Sequence, residues 1–103
     1  MARTKQEEDT FLVAFERFGQ PHQLMLCFEE MAELTKAISK AIRYSREGHK
    51  THITEEIADV EIMLEQVKMI FDIEDEDVEM WRLDKIVRLR RTLGILPKED
   101  MGD

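Results

Sequence analysis

The stretch "HITEEIADVEIML", residues 52–64, reads as a helix that carries a carboxylate on the side it should bury. Ile53, Ile57, Val60, Met63, Leu64, Val67, Ile70 and Phe71 recur three and four residues apart and define one apolar face. At about 100° per residue, Glu56 falls inside that arc and Asp59 sits at its edge. Upstream, Leu24, Cys27, Met31, Leu34, Ile38 and Ala41 mark the apolar face of another helix. Glu30 borders that face, Glu33 lies one turn along on the same side, and Glu29 stands further round. If the two helices pack antiparallel, as a short connection favours, Glu30, Glu33, Glu56 and Asp59 can converge. Several ionised carboxylates held together away from water cost several kcal/mol or more, and their repulsion raises their pKa values. A divalent cation removes both penalties. Oxygen donors alone suit a hard ion, Mg²⁺ with Mn²⁺ as a substitute. A di-iron centre in a bundle normally needs Glu-x-x-His pairs, and no Glu here has a His three residues later.

Four helices suffice to position these groups. Phe11, Leu12, Phe15 and Phe18 give a helical stripe over about 6–18, broken by Gly19 and Gln20. Pro21 suits the first turn of a second helix running to about residue 46, and Gly48 in "EGHK" is a helix stop. Thr51 or Thr54 is the expected cap of the third helix, which should reach Phe71; the pair Glu55 and Glu56 after Thr54 favours a helix start. A fourth helix over 75–93 carries Val78, Trp81, Ile86, Leu89 and Leu93, and Gly94 and Pro97 end it. The chain is expected to be one all-α domain over residues 1–103, with 95–103 as a flexible tail.

Composition agrees. Only 4 Gly and 2 Pro among 103 residues leave little turn chemistry, and 37% charged residues suit solvated helix faces. A net charge of −8 argues against a nucleic-acid partner, since phosphate backbones are held by clustered Lys and Arg. It does not exclude a phosphate-bearing small molecule, because a bound cation inverts the local charge. The single cysteine, Cys27, rules out a disulfide within the chain. No signal peptide or membrane-length apolar run is read, so the expected location is cytoplasmic, away from membranes.

"EEMAE" at 29–33, a spacer of 22 residues, then "EIAD" at 56–59 resembles the signature of the MazG-like all-α nucleoside triphosphate pyrophosphohydrolases, closest to their short single-domain members. The resemblance covers about residues 20–92 and implies a four-helix bundle with antiparallel central helices, assembled as a homodimer or homotetramer. It implies Mg²⁺-dependent hydrolysis of a nucleoside triphosphate between the α and β phosphates, as nucleotide-pool clearance. Glu30, Glu33, Glu56 and Asp59 take the positions of the family's metal ligands. Glu29 fills the first motif position, and Glu29 or Glu33 would be the general base. Lys85 matches a phosphate-contacting Lys, whereas Leu83 and Gln66 stand where the family often has Asn.

Other candidates rest on residue type. Arg88, one turn after Lys85, is a second phosphate partner or simply an exposed Arg on an amphipathic helix. Gln23 is placed to hydrogen-bond a nucleobase, and Phe18 or Trp81 to stack on one. His22, His49 and His52 read as helix-end or surface residues. Met25, Phe28, Ile62 and Met69 lie off the main apolar faces, which favours self-association. A different class of function stays open beside the enzyme: a catalytically weak helical module that binds a nucleotide or another helix.

Overall fold

The computed structural model describes residues 2–44 and 47–95, and among these every regular element is an α-helix. Four helices follow in order: α1 (Lys5–Phe18), α2 (Gln20–Arg43), α3 (Lys50–Ile70) and α4 (Asp75–Leu93). They fall into two units, Met1–Asp72 with α1 to α3 and Ile73–Asp103 with α4. Beyond Ile95, the tail expected at 95–103 lies outside the described residues.

Local chemistry sets the helix ends. Thr4 and Glu7 form a capping box: Thr4 Oγ1 accepts from the Glu7 N–H at 3.1 Å, and Glu7 Oε1 accepts from the Thr4 N–H at 2.9 Å. Gly19, at φ 87°, closes α1 and begins α2, a conformation that favours glycine, and Pro21 follows in the first turn. The third helix starts earlier than expected, at Lys50, with His49 rather than Thr51 or Thr54 at its cap position. Thr54 lies inside the helix, where its hydroxyl donates to the Lys50 carbonyl one turn back, at 2.7 Å.

In the first unit α2 packs chiefly on α3, and α1 packs on α2. Phe11, Cys27, Ala37, Ala41 and Met63 form a small apolar core. The buried faces are turned from those the apolar spacing predicts. Met31, Ile38, Ile57 and Leu64 are exposed, while the polar residues Gln23, Glu56 and Gln66 are buried. Polar groups of α2 and α3 meet across this buried face. Gln23 Nε2 donates to Gln66 Oε1 at 2.8 Å between buried side chains. Arg3 ties the segment before α1 to α3, donating to Glu65 Oε1 at 2.8 Å, and Lys68 reaches Glu65 Oε2 at 2.6 Å.

In the second unit, α4 ends at Gly94 in the left-handed conformation, where its N–H returns to the carbonyls of Arg90 and Arg91. Every residue of α4 is exposed except Val87, which is half-buried. No described helix is long and apolar enough to cross a membrane.

Candidate metal centre

Glu56 leaves the third helix on the side that faces α2, and only 7% of its surface remains accessible. One ligand oxygen each from Glu30, Glu56 and Asp59 lie within 4.8 Å of one another, a spacing that one cation could bridge. Glu30 and Asp59 are half-buried around it. The geometry of α3 places Glu56 and Asp59 less than one turn apart on one side, and α2 brings Glu30 to them.

Two features mark this cluster as more than a solvated acidic face. Glu56 Oε2 is buried without a hydrogen-bond partner. An orphaned carboxylate oxygen away from water normally costs more than about 1 kcal/mol and calls for a ligand or an ion. The Glu30 carboxyl is raised from its ordinary value, first by burial, then by the negative charges of Asp59 and Glu56. A hydrogen bond with Asp59 and the charge of Glu33 raise it further. The donor set is all oxygen, which fits Mg²⁺ or Mn²⁺.

Of the four expected ligands, three come together. Glu33 is exposed and outside the triad, although its charge is felt at Glu30. Glu29 is exposed on the same helix. His52, read from the sequence as a surface residue, brings Nδ1 to 3.9 Å from Glu56 Oε1. The signal was present in the i, i+4 spacing of the two residues, which puts them one above the other on a helix.

Gln23 is buried and engaged. The Phe18 ring stacks on His22 with centroids 5.3 Å apart. His22 Nδ1 lies 2.8 Å from Gln23 Oε1, and Gln23 then bonds Gln66. With the amide oxygen as acceptor, His22 Nδ1 carries the proton. These contacts engage Phe18 and Gln23, two of the three groups read as nucleobase partners; the third, Trp81, is on α4.

Lys85 and Arg88 belong to the second unit. Lys85 Nζ lies 5.7 Å from the centre of the Trp81 ring, and Arg88 pairs with Asp84 at 2.9 Å. Leu83 is exposed. No protein-family model, no curated protein and no solved structure matches the chain.

Proposed function

We propose that this chain is a Mg²⁺-dependent nucleoside triphosphate pyrophosphohydrolase that cleaves between the α and β phosphates, releasing a nucleoside monophosphate and pyrophosphate. The observation that carries the reading is the buried, unpartnered Glu56 Oε2 beside Glu30 and Asp59. The EExxE and ExxD spacing of the resemblance supplies the reaction class. Glu30, Glu56 and Asp59 would hold the ion. When bound, it supplies positive charge for substrate phosphates and acidifies water at the site.

The chain's own part is positioning and proton transfer. Glu33 and Glu29, exposed on the same helix as Glu30, are free to accept the proton of the attacking water. No protein nucleophile is needed, since phosphoryl transfer depends mainly on alignment and charge neutralisation. Antiparallel central helices are supported by the order of contacts. Gln23 near the start of α2 bonds Gln66 near the end of α3, Glu30 meets Asp59, and Ile38 and Ala41 share a cleft with Ile53 and Thr54. Self-association as a homodimer or homotetramer is supported by the exposure of Met25, Phe28 and Ile62.

The test is product analysis by ³¹P NMR after incubation with Mg²⁺ and the standard ribo- and deoxyribonucleoside triphosphates. Monophosphate and pyrophosphate are expected. Diphosphate and inorganic phosphate would show that the reading has the wrong bond. No turnover with any of them would favour the module that binds without catalysis.

A further inference from the structure

The fourth helix carries two triplets that mirror each other in charge: "DVE" at 77–79 and "RLR" at 88–90. They are about three turns apart, so corresponding members return to nearly the same side of the helix. Val78 and Leu89 therefore share one line. Asp77 and Arg88 run along one flank of it, and Glu79 and Arg90 along the other. The face around this line is open to solvent and mixed: Trp81 is 58% exposed, Ile86, Leu89 and Leu93 are each exposed by half or more, and Arg82 and Lys85 stand between Val78 and Leu89. The first turn of α4 is acidic, with Asp75, Glu76 and Asp77, and its last turn is basic, with Arg90 and Arg91.

We propose that this face of α4 is a docking surface for α4 of a second copy of the chain, laid antiparallel across a two-fold axis. Such an axis turns one helix end for end while keeping each flank opposite the same flank of its partner. Val78 then meets Leu89 of the second copy, Asp77 meets its Arg88, and Glu79 meets its Arg90, each contact occurring twice. A parallel pair would set acid against acid and base against base. Opposed helix dipoles also favour the antiparallel arrangement.

The middle of the face carries Arg82 and Lys85, which the axis would bring near each other. Arg82 pairs with Glu79 of its own helix at 3.0 Å, and Lys85 Nζ lies 5.7 Å from the centre of the Trp81 ring. Their aliphatic stems can pack beside Val78 and Leu89 while the charged ends reach water. The pairs now made by Glu79 and by Arg88 with Asp84 are solvent-exposed, so sharing them with a second copy costs little. The inference stands apart from the cation site, which lies wholly in the first unit.

The experiment uses the full chain with Glu79→Lys and Arg90→Glu made separately, studied by sedimentation velocity and native mass spectrometry. The wild-type chain is expected to self-associate, and each single change to weaken that association about tenfold, because the two-fold axis doubles every repulsion. Mixing the two variants should restore a heterodimer. The lysine introduced in one variant then faces the glutamate introduced in the other, and the retained Arg90 of the first faces the retained Glu79 of the second. The double variant Glu79→Lys/Arg90→Glu should pair with itself. Recovery in the mixture also shows that both single variants are folded. A monomeric wild type, single variants that associate as tightly as wild type, or a mixture that stays apart would each overturn the proposal. If a single variant fails to fold, the double variant decides: self-association at wild-type strength upholds it, and loss overturns it.

Discussion

Glu56 concentrates the conflict between burial and charge in this molecule. Its carboxylate sits among side chains that would otherwise repel water, with one oxygen unpartnered and two more acids close by. Glu56→Gln should therefore raise the thermal midpoint in the absence of divalent cations while abolishing Mg²⁺-dependent turnover. Loss of helical circular dichroism in this variant would show instead that the carboxylate supports the fold. Glu30 gives a second signature. Its pKa is raised above the ordinary value of 4.5, so the folded state holds its proton more tightly than the unfolded state. Its contribution to stability is present below that value and is lost as pH rises through the raised folded pKa. Chelator-treated protein should become less stable across this window, and Glu30→Gln should lessen the decline. Superimposable profiles for the two proteins would contradict it. The position of Glu56 was legible in the sequence because its phase matched the apolar residues and not the charged ones. The burial of Gln23 and Gln66 was not. Amides are as much at home on a surface as in a core, and only the meeting of two helices decides between them.

The elements carry their own tests. The Gln23–Gln66 hydrogen bond joins α2 and α3 across the buried face. Gln23→Leu or Gln66→Leu should each cost about 1–3 kcal/mol, because the remaining amide loses its partner. The double replacement should cost less than the sum, and a strictly additive cycle in urea denaturation would contradict a direct bond. At the start of α1, Thr4→Ala should remove about 1 kcal/mol. The Thr4 bonds are also what lower the pKa of Glu7 from 4.5, so stability from this cap is present above that value and is lost as pH falls through the lowered pKa. The variant should therefore lose part of the acid limb of the stability profile, opposite in sign to the effect of Glu30. The extents of α1 and α4 followed from stripe and stop residues. The start of α3 did not, because the hydroxyl of Thr54 can cap a helix or bond back into one, and here it bonds back.

At the scale of the whole molecule, the small apolar core of the first unit contrasts with the many large side chains left on its surface. Short chains cover little of their own apolar surface, and association with copies is the usual remedy. The thermal midpoint should therefore rise with protein concentration, and a concentration-independent midpoint would count against self-association. If the charged flanks of α4 contribute, added salt should weaken the association. Sequence periodicity located four helices without difficulty, because each carries its own repeat. It could not show which faces would stay open, since an apolar stripe reads the same whether its partner lies in the chain or in a neighbour. The turn of the α2 and α3 faces towards Gln23 and Gln66 was hidden for a related reason: only contacts between helices fix the rotation of each.

The most direct test of the central claim is calorimetric titration of Mg²⁺ into the full chain and into Glu56→Gln at neutral pH. Saturable binding by the wild-type chain, lost or greatly weakened in the variant, is the result expected if Glu30, Glu56 and Asp59 hold a cation. Equal binding by the two proteins, or no binding by the wild-type chain, would contradict it.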